Sequence, residues 1–207
     1  MTETSPVTHF VDARRTDAGG GAWTKFGSVG GVVPGVEAKL IDPETGREDD
    51  ARGELLVRGP NVMAGYFHND AATRRTIDDD GWLHTGDVAT VDAEGDFEIV
   101  DRVKELIKYN GYQVPPAELE ALLLSHDAIA DAAVIPVPDE AAGEIPKAVV
   151  VLKPGQTLSA DDVMAFVAER VASYKKVRQV AFADTIPKSA SGKILRRLLV
   201  EQDRSEA

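Results

Sequence analysis

The apolar residues follow two different patterns on either side of residues 101–104, and this change constrains the fold more than any other feature of the chain. Before it, apolar and polar residues alternate with a period near two, as in Val36–Ile41, which is typical of half-buried strands. The turn sequence at 42–46 contains a proline and a glycine, and Gly53–Arg58 is the expected return strand. After the change, apolar residues at helical spacing alternate with short strand-like runs. The sequence therefore predicts an α+β fold in two parts.

The first part, residues 1–101, is expected to be rich in β-structure, and the second, residues 105–207, to be a small α+β lobe. In the first part we predict a strand pair at 88–91 and 97–100 around a turn at 92–96, a short helix near 70–76 and an irregular glycine loop at 19–21. In the second part we predict a hairpin at 104–114 and strands at 130–136, 147–152 and 177–183. We predict a first helix from Pro115-Pro116 to about Ser125, with Leu119, Leu122 and Leu123 on its buried face. A second helix, capped by Ser159, carries Val163, Phe166, Val167 and Val171, and a final helix carries Ile194, Leu195, Leu198 and Leu199.

Composition excludes several classes of protein. The net charge of −12 argues against a general nucleic-acid binder, although the negative excess lies almost entirely in residues 1–101. No apolar run is long enough to cross a membrane. The absence of cysteine rules out disulfides and thiolate metal sites, which leads us to expect a cytoplasmic protein. The four histidines have no metal-ligand spacing.

The loop Pro187–Lys193 combines glycine and serine, which keep a loop open, with a lysine that we place at or near the start of the final helix. A cation is disfavoured at that end of a helix by roughly 0.3–1 kcal/mol, so Lys193 can be interpreted as a ligand for a phosphate or carboxylate. The alternative is an ordinary solvated lysine. The loop is not a P-loop, because the preceding glycine spacing is absent.

Three further segments are ambiguous when each is taken alone. Asp87 follows a glycine and can accept two hydrogen bonds from a ribose diol, or it can simply cap a turn. The stretch from Asp101 to Val114 mixes cations with β-forming residues and could be an ordinary charged hairpin. Thr2 and Glu3 could be a frayed terminus.

Taken together and in order, these segments resemble the adenylate-forming superfamily of acyl-CoA synthetases, 4-coumarate:CoA ligases and firefly luciferases. The matching stretches span nearly the whole chain: MTETSP, GELLVRGPNVMAGYF, GWLHTGDVA, DRVKELIKYNGYQVPPAELE and PKSASGKILRR. The resemblance implies a two-step reaction, in which ATP and a carboxylic acid give an acyl-adenylate and a thiol then displaces AMP. ATP, Mg²⁺ and coenzyme A are the implied cosubstrates and cofactor.

The resemblance also implies roles for individual residues. In adenylation, Lys193 would reach the attacking carboxylate and the α-phosphate, Thr2 would hold the nucleotide phosphate, Glu3 would bind Mg²⁺, and Asp87 and Arg102 would hold the ribose hydroxyls. Residues 102–104 would form a hinge, with Lys104 as the point about which the small domain rotates. In the second conformation Lys108 and Gln113 would contact the adenylate, and Gly111 would line the pantetheine channel. Asn110 stands where many related ligases have lysine, which puts a charge contact to coenzyme A there in doubt.

The family's phosphate loop and acyl pocket would lie upstream of Met1, so the chain resembles a fragment that lacks the N-terminal lobe and cannot form acyl-adenylate alone. Residues 1–101 would be the end of the large domain, part of a distorted barrel with apolar surface exposed, and residues 105–207 the mobile lobe. Whether the acid is a fatty acid or of the 4-coumarate type stays open. The alternatives are an adenylation domain that acylates a carrier protein, an enzyme that oxidises the adenylate, and a non-catalytic nucleotide-binding or interaction module.

Overall fold

The computed structural model describes residues 1–12, 25, 27–190 and 192–206, so the predicted glycine loop at 19–21 lies outside the described residues. The chain divides into two compact units, Met1–Lys104 and Glu105–Ala207. None of the helices in the described ranges combines the length and hydrophobicity that crossing a bilayer requires.

The first unit is built on a seven-stranded sheet with one short helix. Its elements are β1 (His9–Phe10), β2 (Ser28–Val32), β3 (Glu37–Ile41), β4 (Glu48–Asp49), β5 (Arg52–Arg58), α1 (Asp70–Thr76), β6 (Leu83–Val91) and β7 (Phe97–Arg102). The strand order is β1-β2-β7-β6-β5-β3-β4, and the assigned pairings are antiparallel. Both predicted strand pairs and the predicted helix at 70–76 are confirmed.

The expected barrel does not close in the described residues. The sheet runs as an open path from β1 to β4, and no described pairing joins these two end strands. Its core packs Leu40, Leu55, Val57, Leu83 and Phe97 together with Ala89. The β-rich character was therefore predicted correctly, whereas the pattern of alternating residues does not specify whether a sheet closes.

The second unit combines a five-stranded sheet with three helices. Its elements are β8 (Ile107–Tyr109), β9 (Tyr112–Val114), α2 (Pro116–Leu124), β10 (Ile129–Asp139), β11 (Gly143–Leu152), α3 (Ala160–Ala168), β12 (Gln179–Phe182) and α4 (Arg196–Glu206). The order is β10-β11-β8-β9, and β12 pairs in parallel with β11. The hairpin β10–β11 is longer at both strands than the sequence predicts.

Both faces of this second sheet are buried, because neighbouring residues of β10 enter different cores. Ala132 and Val134 belong to a core that also contains Leu119 of α2 and Val163 of α3. Ala133, Ile135, Val149, Ile186 and Leu199 form the other core, which brings α4 onto the opposite face. A sheet covered on two sides gives a rigid support for the loops at its edges. Ser159 caps α3 as predicted, with its side chain accepting from the amide of Asp162 at 3.1 Å.

Candidate functional site

The segment Thr2–Thr4 is an ordered turn rather than a frayed end. Thr4 is fully buried, and the amide of Met63 donates to the carbonyl of Glu3 at 2.8 Å. Asn61 Nδ2 donates to the carbonyls of Thr4 and Val7 at 3.0 and 2.8 Å. The frayed-terminus interpretation is therefore wrong. The turn leaves Thr2 exposed and Glu3 half-buried.

Glu3 is held as a carboxylate. Hydrogen bonding to its own backbone amide lowers the pKa of Glu3 most, followed by the bond that Tyr66 Oη donates to Oε1 at 3.0 Å. The positive charge of Arg102 lowers the pKa further. A hydrogen-bonded, ionised oxygen ligand that is partly open to solvent suits a Mg²⁺ ion whose other ligands are phosphate oxygens and water. The described residues contain no cluster of three acidic or histidine side chains that could bind a metal by themselves.

Asp87 projects from an irregular part of β6. The register of β5 and β6 shifts between Glu54 and Leu56, and Gly86 adopts a positive φ of 69°. Glu54 accepts from the amide of Gly86 at 3.1 Å, and its other oxygen lies 3.2 Å from Nδ1 of His84. Thr85 Oγ1 accepts from the amide of Asp87 at 3.0 Å and donates to the carbonyl of Leu55 at 2.7 Å. These contacts fix the turn that aims the Asp87 side chain.

Arg102 and Asp87 form an ion pair across the ladder of β6 and β7, where the two residues are direct partners. Arg102 Nε lies 2.9 Å from Asp87 Oδ1, and Asp87 is 17% exposed while Arg102 is 49% exposed. Asp87 also lines a cavity of about 310 Å³, together with Thr85 and residues 6–9. A carboxylate and a guanidinium next to such a cavity can respectively accept from and donate to the two hydroxyls of a ribose.

In the second unit, the predicted hairpin places Lys108 directly opposite Gln113. Asn110 and Gly111 form its turn, with φ of 48° and 78°, as expected for the two-residue turns that match the twist of a hairpin. The amide of Lys108 donates to Glu144 at 2.8 Å, and the amide of Asn110 to the carbonyl of Ala142 at 2.9 Å. The hairpin is therefore anchored to the β10–β11 hairpin.

Gly111 is open to the outside. A Cβ atom added to it would meet no atom of the described residues within 4 Å. The glycine is required here by its backbone conformation, and the space above it is free for a ligand. Beside it, Tyr112 is 55% exposed and stacks on Tyr174, with ring centroids 4.5 Å apart.

Lys193 lies in a turn that precedes the last helix. The amide of Ser189 donates to the carbonyl of Lys193 at 2.8 Å, and the amide of Lys193 donates to Ser189 Oγ at 3.2 Å. Helix α4 begins at Arg196, so Lys193 lies near the start of the helix, three residues before it and outside its first turn. Its side chain is exposed, and the helix dipole gives no reason for its placement. Lys104, also exposed, lies in a single 3-10 turn at Val103–Glu105.

The structure brings Asp87 together with Arg102 and Lys108 together with Gln113. It does not by itself assign a role to these residues or to Thr2, Glu3, Lys104, Asn110, Gly111 or Lys193, and their roles stay predictions. Sequence reasoning missed Glu54, Asn61, Tyr66 and Thr85, which hold the site residues of the first unit. All four lie within the quoted motifs, but their partners are up to 63 residues away, so local spacing gave no signal.

Comparison with known proteins connects both units with one group of enzymes. The family model of AMP-binding enzymes matches residues 1–67, and the model of the AMP-binding enzyme C-terminal domain matches residues 118–193. The chain is 58% identical over 177 residues to 4-coumarate–CoA ligase-like 1 of Arabidopsis thaliana, covering 84% of this chain and 33% of that protein. It thus spans about a third of the length of the curated relatives it matches.

Solved structures agree with the sequence matches. ATP-bound MatB from Rhodopseudomonas palustris is 35% identical with a TM-score of 0.78, covering 85% of this chain and 35% of that one. The o-succinylbenzoate CoA synthetase of Bacillus subtilis, in complex with the acyl-adenylate intermediate OSB-AMP, is 37% identical with a TM-score of 0.75 and covers 84% and 36% respectively.

Proposed function

We propose that this chain, which belongs to the AMP-binding, adenylate-forming enzyme family, is the carboxyl-terminal part of an ATP-dependent ligase that joins a carboxylic acid to coenzyme A. The observation that carries the proposal is that two models of one enzyme family match the two units in order, while relatives named as CoA ligases match most of the chain. On this proposal residues 1–101 are the end of the large AMP-binding domain, residues 102–104 the hinge and residues 105–207 the mobile lobe.

The first half-reaction joins two anions, the carboxylate of the acid and the α-phosphate of ATP, so it needs cations at the point of attack. The exposed Lys193 is suited to supply one of them. Thr2, at the exposed edge of the first turn, would hold a phosphate, and the pair Asp87–Arg102 would hold the ribose. Glu3 would help to bind Mg²⁺, which when bound offsets phosphate charge.

The second half-reaction needs a different set of residues, because the thiol must approach the acyl carbon while AMP leaves. Lys108 and Gln113 would contact the adenylate from the hairpin, and the free space above Gly111 would admit the pantetheine arm. Asn110, which has no charge, would make at most a polar contact with coenzyme A. The exchange of the Lys193 loop for the hairpin would occur by movement about Lys104.

The acid is proposed to be a fatty acid or an aromatic acid of the 4-coumarate type, since relatives carry 4-coumarate–CoA ligase-like names. A cytoplasmic location stays a prediction from the absence of cysteine. An adenylation domain that acylates a carrier protein would use the same first half-reaction. A non-catalytic nucleotide-binding module would retain AMP binding alone, and the experiment below separates these possibilities.

The test is a hybrid enzyme in which this chain replaces the aligned segment of the Arabidopsis 4-coumarate–CoA ligase-like protein. We expect acid-dependent ATP–pyrophosphate exchange and formation of a CoA thioester with a panel of fatty and aromatic acids. The 207-residue chain alone should release no AMP. Lys193→Ala should lower exchange by roughly 10²–10³-fold, because a preorganised charge at the reacting groups is lost. The thioester yield from supplied acyl-adenylate should be unchanged.

Lys153→Ala is the matched control, because Lys153 is also an exposed lysine of the second unit and lies outside the candidate site. It should leave both half-reactions as they are. A folded hybrid that shows neither exchange nor thioester formation would contradict the proposal. Exchange without transfer to coenzyme A, but with transfer to a carrier phosphopantetheine, would favour the carrier alternative.

A further inference from the structure

Arg196 lies between two carboxylates that come from distant parts of the second unit. Its Nη2 is 2.6 Å from Oε2 of Glu120, and its Nη1 contacts Oε2 of Glu105. The side chain of Arg196 is 17% exposed and that of Glu120 is 9% exposed. The partners are 91 and 76 residues away in the sequence, so this contact exists only in the folded unit.

Glu120 gives the arginine a fixed point of attachment. It lies on α2 and is buried, and its Oε1 accepts from the amide of Val134 in β10 at 2.9 Å. Val134 is itself fully buried in the core beneath α2 and α3. Through Glu120, the guanidinium of Arg196 is therefore tied to the buried core of the unit.

Helix preference does not explain an arginine at this position. Arg196 is the first residue of α4, where the helix dipole disfavours a positive charge. Its Nε is buried and has no hydrogen-bond partner among the described residues. The two carboxylates offset the unfavourable charge at the helix start through Nη1 and Nη2. The adjacent Arg197 differs in this respect, since it is 84% exposed and only approaches Glu201 at 3.6 Å.

Arg196 and Glu105 are close in sequence to Lys193, which is proposed to act in adenylation, and to Lys104, which is proposed to be the hinge. Arg196 follows Lys193 by three residues, and the amide of Leu195 between them donates to the carbonyl of Pro187 at 2.8 Å, which closes the loop. Glu105 directly follows Lys104 in the chain. One guanidinium thus fixes both the foot of the lysine loop and the first residue of the second unit.

We propose that Arg196 is a positioning residue, which holds the Lys193 loop and the entry of the second unit at Glu105 in one fixed arrangement. Displacement of the lobe about Lys104 would then carry Lys193 as part of a rigid body. The proposal rests on the proposed function for the role of Lys193, but the contact itself can be tested without activity.

The first experiment measures native-state hydrogen exchange of the 207-residue chain with Arg196→Met, Arg196→Lys and Arg197→Met. In Arg196→Met we expect the amides of Lys193 and Leu195 to exchange about tenfold faster, because the loop opens locally, while core amides of β10 and β11 keep their rates. Arg196→Lys keeps the charge but cannot bridge two carboxylates with a planar fork. Its hydrogen-exchange rates should therefore lie between those of the wild type and those of Arg196→Met. Arg197→Met should match the wild type.

The second experiment uses the hybrid ligase. Arg196→Met should lower ATP–pyrophosphate exchange by about a hundredfold, the size expected when a reacting group is misplaced by about 1 Å. In a Lys193→Ala background it should cause little additional loss, because Arg196 acts through that lysine. If Arg196→Met acted by a general loss of stability, its loss of ATP–pyrophosphate exchange activity would multiply with that of Lys193→Ala. Arg197→Met should have no effect in either background.

The outcomes are distinct. The positioning role would be overturned by unchanged hydrogen-exchange rates of the loop amides in a folded Arg196→Met chain. It would also be overturned if the losses of ATP–pyrophosphate exchange activity multiplied fully in the double variant. If Arg196→Met does not fold, the hydrogen-exchange rates of the loop amides in Arg196→Lys decide whether Arg196 holds the loop. If the wild-type hybrid is inactive, the proposed function fails, while the exchange rates still decide whether Arg196 holds the loop.

Discussion

The carboxylate of Glu3 depends on a hydroxyl that lies 63 residues further along the chain, that of Tyr66. We expect Tyr66→Phe to raise the pKa of Glu3 toward its ordinary value of 4.5, because one of the bonds that favour the ionised form is removed. A carboxyl with a lowered folded-state pKa stabilises the fold above its unfolded pKa, and this contribution is lost as the pH falls through the folded pKa. The difference in stability between wild type and variant should therefore be largest at neutral pH and shrink on acidification.

The measurement is an NMR titration of the Glu3 carboxyl carbon, with urea unfolding at neutral and acidic pH. Tyr112→Phe serves as the control, because Tyr112 stacks on Tyr174 in the second unit and does not bond to Glu3. An unchanged Glu3 titration in Tyr66→Phe would show that the hydroxyl does not bind the carboxylate in solution.

Two glycines of the chain make a matched pair for testing the channel. Gly111 and Gly95 have φ of 78° and 82°, and a Cβ on either would meet nothing within 4 Å. Alanine should therefore cost both positions a similar strain, about 1–2 kcal/mol. In the hybrid ligase, only Gly111→Ala should slow thioester formation from supplied acyl-adenylate, since only its Cβ would enter the proposed path of the thiol. Equal rates for both variants would remove Gly111 from that path.

At the residue scale, the sequence singled out candidate residues whose motifs are continuous. Asp87 was singled out because it follows a glycine, and Gly111 because its hairpin resembles that of the family; the roles of both stay predictions. Tyr66 and Arg196 were not singled out, because a hydroxyl or a guanidinium shows its purpose only when a partner from another strand or helix is placed beside it. Glu120 carries no signal of its own in the sequence, and in the structure it is the buried acceptor for Arg196.

Among the elements, the irregular stretch of β6 has the clearest consequence for the site. Glu54 on β5 holds the amide of Gly86 and faces His84, so its carboxylate shapes the turn that aims Asp87. In the hybrid ligase we expect Glu54→Ala to raise the KM for ATP by about tenfold, because the ribose-binding carboxylate is displaced. The rate of ATP–pyrophosphate exchange at saturating ATP should change by less than the KM.

Glu94→Ala is the comparison for this element, because Glu94 is an exposed glutamate in the turn between β6 and β7. It should leave the KM for ATP unchanged. If Glu54→Ala and Glu94→Ala behave alike, the turn at Gly86 is held by Thr85 and the strand ladder without Glu54.

Elements with local signals were predicted with accurate bounds, and those with competing signals were not. Helix α1 covers Asp70–Thr76 as expected, with Asn69 accepting from the amide of Ala72 as its cap. The final helix begins later than its apolar residues suggest, because the residues just before it are held in a loop, where Lys188 forms a β-bridge with Ile194 and the amide of Leu195 donates to the carbonyl of Pro187. Ile194 therefore packs against the core from a loop, while Leu195 is exposed, and apolar spacing alone cannot distinguish such a loop from a helix.

For the whole molecule, the sequence predicted two β-containing parts but not whether the first sheet closes into a barrel. Alternation along a strand indicates a sheet with one buried face, whereas the continuous apolar run Ala132–Ile135 fits a strand that is buried on both faces. Closure of a barrel depends on pairing between strands far apart in the chain, for which alternation carries no information. The open path of the first sheet is therefore a property that only the structure reveals.

Because the second unit has cores on both faces of its own sheet, we expect residues 105–207 to fold when expressed alone and to unfold in a single urea transition. Helix α2 offers a matched test of that core, with Leu119 fully buried and Leu124 48% exposed. Leu119→Ala should lower the free energy of unfolding by about 2–5 kcal/mol, because it removes transferred apolar surface and leaves a cavity. Leu124→Ala should change it by at most about 0.5 kcal/mol. An isolated second unit without a cooperative transition, or equal losses for the two leucines, would mean that its stability does not come from the core that α2 covers.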